Sequence, residues 1–221
     1  MRHFDLHCDT LSRCRHQKES LLHNDGAVSV ERGLIFDQWV QAFAVFIGDD
    51  IRGAKAYREF LAQADVLKKA LEESDSIAAY DPNQVKDRIC NAMLTVENGA
   101  ALGGKLERIE EFAQMGVKVF SLVWNGENEL GPGNSTQKGL TAFGKVAVRR
   151  LEEAGIIVDC SHLNDRGFED LCAVSARPFI ASHSNARAVC AHPRNLLDGQ
   201  ICEIVRRGGL IGLNFYRRFL R

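Results

Sequence analysis

The sequence predicts an α/β protein organised around a parallel sheet, and three observations carry that expectation. Short β-rich apolar runs alternate with longer stretches of helical period, which is the pattern of repeated βα units. No Gly-x-Gly-x-x-Gly follows the first run and no Gly-x-x-x-x-Gly-Lys-Ser/Thr occurs, which weighs against an open nucleotide-binding sheet and toward a TIM-like (β/α) barrel. Residues of metal-ligating type stand where five of the runs end, and a parallel barrel gathers such ends on one face.

Strands are expected near residues 3–7, 41–47, 91–96, 117–123, 156–160, 178–182 and 209–215. Between the second and third, Tyr57, Phe60, Leu61, Ala64, Leu67 and Leu71 recur at three- and four-residue spacing, so this segment should form a helix with one apolar face. Thr141 can cap a second helix, whose buried face would carry Val146, Ala147, Leu151 and Ala154 and which Gly155 would stop. Two more helices are expected, one through Phe168, Leu171 and Cys172 and one through Ile201, Ile204 and Val205, the latter closed by Gly208 and Gly209. A full barrel needs eight strands and only seven are found, so residues 1–221 read as a single incomplete barrel domain.

Composition removes several function classes. With 28 Lys and Arg against 29 Asp and Glu, interspersed, no basic stripe exists to track a phosphate backbone, and nucleic acid is not an expected partner. No run approaches the roughly 18 apolar residues of a membrane span, and the amino terminus enters a strand pattern without an apolar signal core. The seven cysteines are odd in number and lie within or beside apolar runs, as Cys90, Cys160, Cys172, Cys190 and Cys202 do, which suits reduced, buried thiols and a cytoplasmic protein.

The candidate ligands are His7 and Asp9 in Phe-Asp-Leu-His-Cys-Asp, Glu97 in Leu-Thr-Val-Glu-Asn-Gly, His162 in Asp-Cys-Ser-His and His183 in Ile-Ala-Ser-His-Ser. In extended backbone, residues i and i+2 point the same way, so His7 and Asp9 can grip one ion from a single strand end. A carboxylate such as Glu97 can bridge two divalent ions about 3.5 to 4 Å apart. Each residue has an ordinary structural explanation when taken alone, but three imidazoles and two carboxylates at strand ends are explained together by a two-metal hydrolytic centre.

The blocks around these positions resemble the membrane dipeptidase (renal dipeptidase, peptidase M19) family of the amidohydrolase superfamily, in its soluble bacterial form. The resemblance rests on Phe-Asp-Leu-His-Cys-Asp-Thr at 4–10, Glu-Asn-Gly at 97–99, Gly-Val-Lys-Val-Phe-Ser-Leu-Val-Trp-Asn at 116–125, Gly-Leu-Thr-Ala-Phe-Gly-Lys at 139–145, Asp-Cys-Ser-His at 159–162 and the fourteen residues Ser182 to Asn195. It implies a metal-dependent hydrolase barrel with two Zn²⁺ ions, one held by His7 and Asp9 and the other by His162 and His183, with Glu97 bridging. It implies hydrolysis of dipeptides by a metal-bridging hydroxide, with Arg194 receiving the substrate's terminal carboxylate, a task suited to a planar fork of donors. Relatives are often dimeric, so a homodimer is the association this resemblance would suggest.

Two departures from the family pattern stand out. Trp124 occupies the place where many members carry a substrate-contacting histidine, and a pocket wall is its expected role. The aspartate expected at the end of an eighth strand, which would orient the nucleophile and shuttle its proton, has no counterpart up to Arg221. The same ligand set would also serve another binuclear amidohydrolase acting on a lactone, an N-acyl amino acid or a cyclic amide, or a metal-binding remnant with little activity.

Overall fold

A computed structural model describes residues 1–221, and its first structural principle is local: each β-rich run that the sequence shows forms, or nearly forms, a parallel strand. The chain divides into two compact units, residues 1–46 with 58–95 and residues 47–57 with 96–221.

In the first unit β1 (Arg2–Cys8) pairs in parallel with β2 (Gln38–Phe46), Arg2 opposite Gln38 and Asp5 opposite Gln41, with a register shift before Cys8 meets Phe43. Trp39, Phe43 and Val45 on one face of β2 and Val40, Ala42 and Ala44 on the other are all buried, so this strand has apolar cover on both faces and reads as a near-continuous hydrophobic run. The short β3 (Ile77–Ala79) pairs in parallel with β4 (Cys90–Glu97), Ile77 opposite Cys90, and was not anticipated because three residues carry too little pattern. The helix α1 (Thr10–Gln17) follows β1, burying Leu11 and Cys14, and α2 (Val30–Gly33) is a single turn capped by the Ser29 hydroxyl. The helix α3 (Gly53–Glu73), shared by sequence between the units, buries Phe60, Ala64, Leu67 and Ala70; burying a side chain the size of Phe or Leu contributes about 1.5–3 kcal/mol. Leu61, expected on that face, is instead exposed, one position round the helix from Phe60. Gln63 finishes the end of β2, its Oε1 accepting from Phe46 N at 3.0 Å and its Nε2 donating to Phe46 O at 2.8 Å.

In the second unit α4 (Arg108–Gln114) precedes β5 (Val117–Ser121), which pairs in parallel with β6 (Ile157–Asp159), Val119 opposite Ile157 and Ser121 opposite Asp159. Between these strands lies α5 (Ala142–Glu153), started as expected by Thr141, whose Oγ1 accepts from Gly144 N at 2.9 Å, and followed by Gly155 at φ 74°. Its buried face carries Ala147, Val148 and Leu151, while Val146, expected there, is 41% exposed; with two valines flanking Ala147, a 3.6-residue period admits either. The segments 178–182 and 209–215, expected as strands, make only single parallel bridges, Asp159 with Ile180 and Ala181 with Ile211. Pro178 has no N–H to give, and Gly209 N is taken by Ile204 O at the end of the preceding helix, so neither segment extends its ladder. The remaining helices are α6 (Asp165–Val174), capped by Asn164, and α7 (Asp198–Arg206), followed by Gly208 at φ 80°.

Parallel strands followed by helices place this chain in the mixed α/β class of TIM-like barrels. No helix is long and apolar enough to cross a membrane. All seven cysteines are free thiols; Cys14, Cys90 and Cys160 are buried, whereas Cys202 is exposed, contrary to its expected packing.

Candidate metal centre

The expected ligands fall in both units. In the first, β1 ends so that His7 Nε2 lies 3.4 Å from Asp9 Oδ1, the same-side placement that the i, i+2 spacing predicts. The His7 side chain is largely enclosed and its backbone N–H donates to Asp5 Oδ1 at 3.1 Å. Asp9 occupies the N-cap position of α1 without capping it, and 58% of its side chain is exposed.

β4 is shared by sequence between the units and its last residue, Glu97, belongs to the second, where the turns after β6 and after Ala181 deliver His162 and His183, all three buried. Glu97 Oε1 lies 2.9 Å from His162 Nε2 and 3.6 Å from His183 Nε2, and the two Nε2 atoms are 3.0 Å apart. The far ring nitrogens settle what these near atoms are. His162 Nδ1 contacts Asn125 Oδ1 at 3.1 Å, and that oxygen is fixed as the acceptor end of its amide because Asn134 Nδ2 donates to it at 2.8 Å. His183 Nδ1 lies 2.7 Å from Ser182 Oγ, whose own hydrogen is directed at Asp159 Oδ2, 2.6 Å away. Both rings therefore carry a proton on Nδ1, and in the neutral imidazole this leaves the Nε2 lone pair turned toward Glu97. Two lone pairs and a carboxylate oxygen facing one another repel, and a divalent cation among them converts the repulsion into ligation. This donor set fits a metal of zinc type.

The backbone at these ligands is unusual. His162 has φ 71°, and Asn98, which follows Glu97, has φ 81° and ψ 106°, in regions that side-chain-bearing residues seldom occupy. Asn98 is held there by its amide, with Nδ2 donating to Ile47 O at 2.8 Å and Oδ1 accepting from Ala100 N at 3.1 Å and Asn128 Nδ2 at 2.8 Å. Nearby Asp49 accepts from Gly126 N at 2.7 Å, and burial pushes its carboxyl above the usual range.

Arg194 is 3% exposed, not a surface residue. Its Nη1 donates to Ser184 Oγ and its Nη2 to His183 O, each at 2.7 Å, while Nε has no protein partner. Burial pulls the guanidinium down to about 10, so it stays charged at neutral pH. The loop carrying it is pinned from three sides. His192 Nδ1 accepts from Arg194 N at 3.1 Å, Arg187 Nε donates to Asn195 O at 2.8 Å, and the Arg187 fork grips both Asp165 oxygens at 2.8 Å. Trp124 is half-buried with its ring 6.5 Å from that of His162.

Asp159, Ser182, Asn125 and Asn98 escaped the sequence reading as contributors, although all four sit inside the motif blocks quoted above. Their roles arise from contacts far apart in sequence, such as Asp159 with Ser182, which no local pattern encodes.

The family model described as membrane dipeptidase (peptidase family M19) matches residues 1–221. An uncharacterised protein from the pqqA 5′ region of Klebsiella pneumoniae is 32% identical over 173 residues, 72% of this chain and 64% of that protein. An uncharacterised dipeptidase of Schizosaccharomyces pombe is 31% identical over 176 residues, 75% of this chain and 43% of that protein. The chain thus spans less than two thirds of the length of these curated relatives. Among solved structures, a dipeptidase described as a metallopeptidase of family M19 superposes with TM-score 0.89 at 26% identity, over 100% of this chain and 74% of that one. A Rhodobacter sphaeroides metallopeptidase, liganded with a phosphinate mimic of L-Ala-D-Ala, superposes with TM-score 0.87 at 24% identity, over 100% of this chain and 76% of that one.

Proposed function

We propose, from the premise that this chain belongs to the membrane dipeptidase family (peptidase family M19), that it serves metal-dependent hydrolysis of dipeptides with two zinc ions as cofactor. The observation that carries the reading is the convergence of the two buried Nε2 atoms on Glu97 Oε1, an arrangement suited to a cation. His7 and Asp9 are proposed as ligands of one ion, His162 and His183 as ligands of the other, and Glu97 as the carboxylate common to both. When bound, such a metal pair would supply Lewis acidity to the peptide carbonyl and lower the pKa of bound water toward about 7.

The protein's own residues then bind and orient. Arg194 is proposed to take the substrate's terminal carboxylate, and its buried, unpartnered Nε together with its fixed fork supports that role. Anchoring that carboxylate limits the substrate to about two residues, and Trp124 would wall the pocket beside His162. The L-Ala-D-Ala mimic in the Rhodobacter sphaeroides structure supports the dipeptide class. A cytoplasmic location belongs to the same reading.

The deciding experiment is zinc analysis of the purified 221-residue chain together with an L-Ala-D-Ala hydrolysis assay. Bound zinc approaching about two ions per chain with turnover is expected. Zinc without turnover would retain the metal assignment and remove the dipeptidase one, and a chain that binds no zinc would remove both.

A further inference from the structure

We propose that Asp159, acting through Ser182, is a positioning residue that fixes the ring of His183 in the form required of a metal ligand; this deepens the metal-centre reading and rests on it. Asp159 is fully buried at the end of β6, and both its oxygens are committed. Oδ1 accepts from the backbone N–H groups of Ser161 and Ser182, each at 2.9 Å, and Oδ2 accepts from the hydroxyls of Ser182 at 2.6 Å and of Ser121. A carboxylate so placed cannot donate, so the Ser182 hydrogen has one direction, toward Oδ2. Ser182 Oγ is then left as an acceptor facing His183 Nδ1 at 2.7 Å, and the ring must present N–H there. Ser161 Oγ reinforces the arrangement, lying 3.3 Å from Ser182 Oγ and accepting from His183 N at 3.2 Å.

The chain of consequences runs carboxylate, hydroxyl, imidazole, metal. It is the carboxylate–histidine–metal device with a serine inserted as a spacer. Ser121 donates to the same oxygen from a different strand, so it provides an internal control for the purely structural part of Asp159's work.

The first test needs no variant. Two-bond ¹⁵N–¹H correlation spectra of the zinc-free chain should show His183 protonated on Nδ1, and a ring protonated on Nε2 overturns the proposal. Ser182→Ala should shift His183 toward the Nε2-protonated form and weaken zinc binding about 10- to 100-fold in competition with a chromophoric chelator. Ser182→Thr, which keeps the hydroxyl, should restore affinity, whereas Ser121→Ala should change it less than about threefold. Equal losses in Ser121→Ala and Ser182→Ala, or an unchanged tautomer in Ser182→Ala, overturn the relay. Should the wild-type chain bind no zinc at all, the metal-centre reading falls, while the tautomer spectra still decide the relay.

Discussion

The proposed ligand pair at the end of β1 and the proposed ligand trio of the second unit are held in different ways. Asp9 is more than half exposed, and the pair follows from one strand end and an i, i+2 spacing. Glu97, His162 and His183 are buried, and each histidine has its far nitrogen fixed, one by Asn125 and one by Ser182 backed by Asp159. The 3.4 Å approach within the pair is local in sequence, whereas the second arrangement is made by long-range packing. The trio is therefore preorganised for an ion, because its tautomers and ring planes are set before any metal arrives.

The largest expected effect breaks this contrast at its stronger end. Glu97→Gln removes the charge on which both lone pairs converge and should weaken zinc binding by about 10²- to 10³-fold, since a metal site's binding energy is shared among few ligands. Asp9→Asn, at the exposed end, should cost only about tenfold. Competition titrations with a chelator measure both, and an equal loss in the two variants would erase the distinction drawn between them.

An intermediate effect is expected at Arg194. Arg194→Met should lower kcat/KM for a dipeptide by about 10²-fold, carried mostly by KM, because a desolvated charge-assisted contact to substrate is lost. Steady-state kinetics with a dipeptide and its C-terminal amide sharpen this: the wild type should discriminate between the two and the variant should not. Loss confined to kcat would argue that the arginine serves the reacting bond instead.

The smallest effect concerns the clamp that pins the Arg194 loop. Arg187→Gln should lower stability by about 0.5–1 kcal/mol at pH 7, the range for partly exposed ion pairs. The Arg187 guanidinium holds the Asp165 carboxyl below its ordinary value of 3.8. A depressed carboxyl stabilises the fold above that value and ceases to do so as pH falls through its folded-state pKa, so thermal melts of wild type and variant should converge in acid. Curves that stay parallel from pH 7 to pH 2.5 would mean that the clamp acts by packing alone.

Much of this was legible in the residues themselves. Thr141 and Gly155 mark the ends of α5 because capping chemistry is local, and Phe60, Ala64 and Leu67 mark α3 because its apolar period repeats over about four turns. The segment Thr10–Gln17 was silent as a helix because its polar and charged residues leave only Leu11 and Cys14 to indicate a face. In the site, ligand types at strand ends were readable, but Asp159 could not be distinguished from any buried strand-end aspartate until the fold brought Ser121 and Ser182 to it.

The left-handed backbone at His162 has a consequence for design and descent alike. Non-glycine residues in such conformations cost on the order of 1–3 kcal/mol, and glycine would relieve most of that. The residue best suited to this backbone is thus not the residue proposed to bind metal. If His162 holds the proposed ion, a selection run on folding alone, by display or by thermal challenge, should drift toward glycine at 162 and lose that ion.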